Sequence, residues 1–112
     1  MNDLRHQDLA AGRWWELSLY EQLGHVGSEI SRANRWTGRN PELAQAAFYR
    51  ALELLDLTLA DPRLRRSAPR LREIARTREV VVDYFAGSNE YGSSGPSLQK
   101  YFDAFAFAAR AR

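Results

Sequence analysis

The chain contains no cysteine and only two histidines, His6 and His25. Disulfide bonds and thiolate zinc sites are therefore excluded, and two isolated imidazoles make a poor ligand set for any metal. No apolar stretch is long enough to cross a membrane, and the first residues do not combine a basic segment with an apolar run. We expect a cytoplasmic protein that binds no metal or other cofactor and does not enter a membrane.

The common motifs of catalytic sites are absent too. The sequence has no glycine-rich phosphate loop and no nucleophile elbow. Glu21 and His25 share a helix face and could form an acid–base pair, although such pairs are commonly surface contacts. Glu79 and Asp83 are also four residues apart, but no Glu-x-x-His motif completes a carboxylate metal site. The three tryptophans are either base-stacking platforms or anchors of the core; they are Trp14, Trp15 and Trp36.

Lysine is almost missing, since the 16 basic residues include only Lys100 beside the arginines. Seven arginines lie between positions 63 and 78, where Glu73 is the only acid. Such a block can hold phosphates or an acidic partner. The alternative is a solvated helix face, balanced by acids on the neighbouring segment; these acids are Glu53, Asp56 and Asp61.

A chain of 112 residues with 45% apolar content can bury one core, so we predict a single domain over residues 1–112, with residues 1–12 as a loosely ordered lead-in. Ser18 and Glu21 form a capping box, which predicts helix 1 from Leu19 to about Trp36. Asn40 and Pro41 then start helix 2. The residues Asp61-Pro62 end it.

Residues 62–68 are predicted to form an additional helical turn before helix 3, which opens at Ser67 and is capped by Gly87. A loop over 88–96 leads to helix 4, from about Pro96 to Ala109. The apolar spacing of all four segments predicts an all-α fold, an antiparallel four-helix up-down bundle with short connections. Helix 2 is apolar over more than half its circumference, so either Leu54 or Leu55 should be fully buried.

Helix 1 also carries Gly24 and Gly27 beside its apolar stripe, where each glycine costs about 1 kcal/mol relative to alanine. Close approach of another backbone would explain that cost. Because helix 4 offers a broad aromatic face, we expect that four short helices cannot cover both faces. The exposed apolar surface would then form a two-fold dimer.

The stretch 76–92 combines apolar burial with unusual charge placement. The charges of helix 3 oppose its dipole, because Arg70 and Arg72 lie in its first turn and Asp83 in its last. In one interpretation Arg78, Asp83 and Tyr84 form a site that binds a phosphate or a nucleotide, with Asp83 orienting Arg78. In the other, Arg78 and Asp83 are a buried structural pair. The binding residues of the first interpretation are Arg76, Arg78, Tyr84, Asn89 and Tyr91.

Two segments, residues 47–57 and the Arg-x-Arg-Glu-x-x-x-Asp-Tyr stretch of 76–84, resemble the HEPN superfamily. The resemblance implies a helical bundle. The superfamily includes toxins that pair with nucleotidyltransferase antitoxins, and its active members are typically dimeric ribonucleases. The family signature is an arginine followed by a histidine near the end of a helix. Here Arg78 matches the arginine and Asp83 stands where the histidine would be. An aspartate beside an arginine stays ionised and cannot act as a general acid near neutral pH.

Three functional hypotheses follow. The first is a non-enzymatic HEPN-like interaction module, a homodimer that binds a nucleotidyltransferase-type partner or RNA. The second is a HEPN-type ribonuclease or toxin, for which Arg78, Asp83 and Tyr84 would be the catalytic candidates. The third is a structural helical bundle of unrelated function.

Overall fold

The computed structural model describes residues 11–111, and within that range the protein is all-α with no strand. The four long helices are α1, Leu19–Trp36; α2, Pro41–Leu59; α3, Ala68–Ala86; and α4, Gly95–Arg110. The 3-10 turn Leu64–Arg66 precedes α3, as predicted for residues 62–68. Residues 11–14 are also helical, and the rest of the predicted lead-in lies outside the described residues. None of the described helices is both long and apolar enough to span a membrane.

The predicted helix starts are confirmed by their caps. The Ser18 hydroxyl accepts the Glu21 N–H at 3.1 Å, and the Ser18 N–H donates to the Glu21 carboxylate at 2.9 Å. Asn40 accepts the Leu43 N–H at 3.2 Å, with Pro41 at the first helical position. Helix α2 ends slightly earlier than predicted, at Leu59. The chain turns there because the Asp61 carboxylate accepts the N–H of Arg63 at 2.9 Å.

The core is built from apolar residues of all four helices. Its members with no exposed surface are Leu23, Val26, Ile30, Ala33, Ala51, Leu55, Ile74, Val81 and Phe102. Leu55 is fully buried whereas Leu54 keeps partial exposure, which confirms the prediction for α2. Complete burial of a leucine side chain stabilises the fold by roughly 1.5–3 kcal/mol.

Helices α1 and α4 approach closely at the two glycines of α1. A Cβ atom added to Gly27 would lie 2.8 Å from the Cβ of Phe102, and one added to Gly24 would lie 3.1 Å from the Cα of Ala106. The predicted close approach is therefore confirmed. It also corrects the argument for a dimer, because the glycine face of α1 and the aromatic face of α4 cover each other within one chain.

Candidate binding site at the end of α3

Arg78 does not pair with Asp83. Its guanidinium binds Asp56 of α2 instead, with Nε 2.6 Å from Oδ1 and Nη2 3.2 Å from Oδ2. Residues five apart on a helix point about 140° away from each other, which separates Arg78 from Asp83. The Arg78 side chain is 34% exposed and that of Asp56 is 57% exposed. The prediction of a buried Arg78–Asp83 pair is thus wrong. The ion pair that does form, Arg78–Asp56, lies at the surface and connects α2 with α3.

Asp83 anchors the loop that follows α3. Its two carboxylate oxygens accept the N–H groups of Glu90 and Tyr91 at 2.8 and 3.0 Å. Its backbone carbonyl accepts those of Gly87 and Asn89, both at 3.1 Å. An anion is disfavoured at the end of a helix because the terminal carbonyls carry partial negative charge. The four N–H groups of the loop offset that effect, so the unusual position of Asp83 has a structural reason.

The loop itself is cross-braced. Asn89 adopts a left-handed backbone conformation with φ 57°, and its side chain both donates to the Ser93 carbonyl at 2.9 Å and accepts the Ser93 N–H at 2.8 Å. The Tyr91 hydroxyl lies 3.2 Å from the carboxylate of Glu79 on α3. The Tyr91 side chain is nevertheless 52% exposed, so the loop presents an aromatic ring from a fixed backbone.

The predicted site residues fall into separate groups. Arg76 is exposed and lies about 20° from Asp83 around α3, since they are seven residues apart. Tyr84 faces elsewhere and lines an open cavity of about 430 Å³ with residues of α1 and α4. Its ring packs edge-on against Phe85 at 4.9 Å. The structure therefore brings together Asp83, Asn89 and Tyr91 and places Arg76 two turns earlier on the same face of α3. We call these four residues the loop surface, and Arg78 and Tyr84 lie outside it.

The arginine block is partly neutralised. Three of its members have carboxylate partners, in the pairs Arg63–Asp61, Arg70–Glu73 and Arg78–Asp56. The other members are exposed and form no ion pair with a described residue; they are Arg65, Arg66, Arg72 and Arg76. Two of the acids predicted to balance the block, Asp56 and Asp61, do so.

A polar network that the sequence analysis missed ties α3 to α4. The Tyr101 hydroxyl donates to Glu73 at 2.7 Å and lies 3.1 Å from the Thr77 hydroxyl. Arg70 contacts the other oxygen of Glu73 at 3.1 Å. Burial, together with the bond to Glu73, raises the pKa of Tyr101 to about 12. Such a phenol keeps its proton and is a poor base, so the network serves to hold α3 and α4 together. The helical spacing of Arg70, Glu73 and Thr77 was the sequence signal that could have predicted this network.

A second missed network lies where the helical residues 11–14 meet the end of α2. Gln22, which has no exposed surface, donates to the buried Asp61 at 3.0 Å, and Arg63 contacts the same carboxylate oxygen at 2.7 Å. Burial raises the pKa of Asp61, but the hydrogen bonds from Arg63 and Gln22 outweigh it and hold that pKa below its usual value. Trp14 donates to Thr58, and Trp15 donates to the Leu57 carbonyl. Both indoles thus anchor the fold, as the second interpretation of the tryptophans predicted.

The weaker candidates for catalysis, Glu21 and His25, make structural contacts instead. Glu21 belongs to the capping box, and its hydrogen bonds with Ser18 lower its pKa. The ring of His25 packs 5.9 Å from that of Trp14. Among residues 11–111, no group of three metal-ligating side chains could hold an ion, and this includes the Glu79–Asp83 pair.

Comparison of the chain with protein-family models, curated proteins and solved structures finds no match. The resemblance to the HEPN superfamily therefore stays a prediction. It rests on residues 47–57 and 76–84 of this chain.

Proposed function

We propose that this protein is a non-enzymatic, HEPN-like interaction module that works as a homodimer. In this proposal the four long helices form an antiparallel up-and-down bundle. Contacts between the end of one helix and the start of another support that arrangement. Asn34 donates to the Gly95 carbonyl at 3.3 Å, and Phe48 packs against Phe85 at 5.4 Å.

The observation that carries the proposal is the preorganised loop surface. Asp83 fixes the backbone of residues 87–91 through four hydrogen bonds, while Tyr91 and Arg76 stay exposed. Holding a loop in one conformation before binding lowers the entropy cost of binding. Exposed tyrosine and arginine side chains are also enriched at protein interfaces. This surface suits recognition of a nucleotidyltransferase-type partner or of RNA.

A ribonuclease role has less support from the geometry. General acid–base catalysis needs a group that exchanges a proton and reaches the substrate. Both carboxylate oxygens of Asp83 already accept loop N–H groups, and the guanidinium of Arg78 is held by Asp56. The residues that match the family motif are thus used as scaffold.

Support for the homodimer comes from exposed apolar side chains. The large ones are Leu43, Tyr49, Tyr91 and Phe107, with exposures between 45% and 70%. Phe107 of α4 is the most exposed at 70%. Burying such a ring in an interface is worth roughly 1.5–3 kcal/mol per copy, which makes it the first candidate anchor.

Sedimentation velocity at micromolar concentration tests the dimer. The wild type should sediment as a dimer and Phe107→Ser as a monomer of unchanged helicity, whereas replacement of the surface residue Arg72 by serine should leave the dimer intact. A monomeric wild type would remove the homodimer from the proposal.

A ribonuclease assay tests the absence of enzymatic activity. Wild-type protein should leave RNA intact, and cleavage by it would overturn the non-enzymatic assignment. Asp83→His restores the arginine–histidine spacing of the family, and Asp83→Asn is the control without an imidazole. Activity in the histidine variant alone would support a degenerate HEPN site.

A further inference from the structure

A polar groove runs between α1 and α4, away from the loop surface. It consists of two adjoining open cavities of about 470 and 430 Å³, which share Ser31 and Gln99. Along α1 the groove extends from Gly24 to Thr37, which is about 20 Å at 1.5 Å per residue. The α1 residues that line it between Gly24 and Ser31 have very small side chains; they are Gly24, Gly27, Ser28 and Ser31.

The charge lining this groove is predominantly positive. Three guanidinium groups, those of Arg32, Arg35 and Arg110, face a single carboxylate, that of Asp103. Arg32 forms an ion pair with Glu29 at 3.0 Å. Arg35 and Arg110 have no ion pair with any described residue, so both are available to an anionic ligand.

The groove also offers uncharged contacts. The hydroxyls of Ser28 and Ser31 make no hydrogen bond within the described residues. The Gln99 amide donates to the Gly27 carbonyl at 3.2 Å and to Asp103 at 2.9 Å, which fixes its orientation. This leaves the Gln99 Oε1 atom buried without a partner in the described part of the chain.

At its other end the groove is lined by Tyr84. A positively charged groove that includes an aromatic side chain is the arrangement by which proteins hold single-stranded nucleic acids without reading their sequence. The length of about 20 Å corresponds to roughly six nucleotides at the 3.4 Å rise of a stacked strand.

We propose that the groove between α1 and α4 binds single-stranded nucleic acid, with phosphates on Arg35 and Arg110 and a base against Tyr84. The proposal goes beyond the proposed function, because none of the loop-surface residues lines the groove. Free cations, unused hydroxyls and an open elongated shape favour a phosphodiester chain over an apolar peptide helix, which would need an apolar groove.

Fluorescence anisotropy with a labelled uridine oligomer of about ten nucleotides tests the proposal. The double variant Arg35→Ala/Arg110→Ala should bind roughly tenfold or more weakly at low salt. The dependence of log affinity on log salt should become shallower by about 1.4, since each phosphate contact of a single strand contributes about 0.7. The matched control is Arg65→Ala/Arg66→Ala, which removes the same charge from the 3-10 turn before α3 and should keep its affinity within about threefold.

A steric variant separates the groove from net charge. Ser28→Trp fills the groove without changing the charge and should weaken binding, whereas Ala68→Trp, at an exposed position outside the groove, should not. A duplex of the same length should bind more weakly than the single strand. The proposal is overturned if wild-type protein does not bind the oligomer, if both arginine pairs contribute equally, if Ser28→Trp binds normally, or if the duplex binds as well. None of the substituted residues belongs to the loop surface.

Discussion

Replacing Gly27 by alanine should destabilise the protein, although alanine is the better helix former. In a helix interior alanine gains about 1 kcal/mol over glycine. The new methyl group, however, would lie 2.8 Å from the Cβ of Phe102, well inside the roughly 3.5–4.0 Å at which carbon atoms attract. Phe102 has no exposed surface and cannot move aside freely. Overpacking usually costs about 1–3 kcal/mol, and because Phe102 cannot yield we expect about 2–3 kcal/mol here, which leaves a net loss of roughly 1–2 kcal/mol.

Thermal unfolding followed by circular dichroism measures this loss, which should lower the Tm by about 4–10 °C in a domain of this size. Gly12→Ala is the control, because the position is helical and no atom of residues 11–111 lies within 4 Å of the added Cβ. It should gain up to about 1 kcal/mol. Gly24→Ala should fall between the two, since its closest neighbour, the Cα of Ala106, lies at 3.1 Å. A Gly27→Ala protein as stable as Gly12→Ala would refute the close approach of α1 and α4.

Three further predictions concern the core, the surface pair and the response to pH. Leu55→Ala should cost about 2–5 kcal/mol in urea unfolding and Leu54→Ala clearly less, because only Leu55 is fully buried; equal losses would contradict the assigned core. Arg78→Ala should cost below about 1 kcal/mol, because Arg78 and Asp56 are both solvent-exposed, and a loss above about 3 kcal/mol would indicate a buried pair instead. The pKa of Tyr101 is about 12 in the folded protein against an ordinary 10.0, so the stability it contributes is complete below pH 10 and is lost as the pH rises towards 12. Urea unfolding across that interval should show a weaker pH dependence in Tyr101→Phe than in wild type, and identical slopes would exclude the assigned pKa.

The helix boundaries could be predicted because the signals that set them are local. A cap joins residues that are only three apart, as Ser18 and Glu21 are, so both partners can be recognised in a short stretch of sequence. The end of α2 was predicted less well. It depends on the buried Asp61, whose partner Gln22 lies 39 residues away. A contact of that range leaves no periodic pattern, so an acidic residue before a proline was interpreted only as a stop.

The candidate site was predicted less well for a related reason. The position of Asp83 was correctly recognised as unusual, and the error was to choose Arg78 as its partner. Charges five residues apart on a helix diverge, whereas backbone N–H groups of the next loop lie within reach of the last turn. The acid that does bind Arg78 comes from α2, 22 residues away. A sequence contains no record of which side of α2 faces α3 beyond its apolar pattern, and Asp56 lies outside that pattern.

Two of the charges that break the helix-dipole rule, Asp83 and Arg70, have structural partners in this protein. Asp83 is compensated by the loop, and Arg70 by Glu73 and the ring of Phe105, whose centroid lies 5.9 Å away. Arg35 and Arg110 follow the rule, since each lies in the last turn of its helix, where a cation is favoured. The sequence pattern therefore does not mark these two arginines as unusual. A cation that the dipole already stabilises needs no carboxylate partner, and for that reason its donors remain available to a ligand in the groove between α1 and α4.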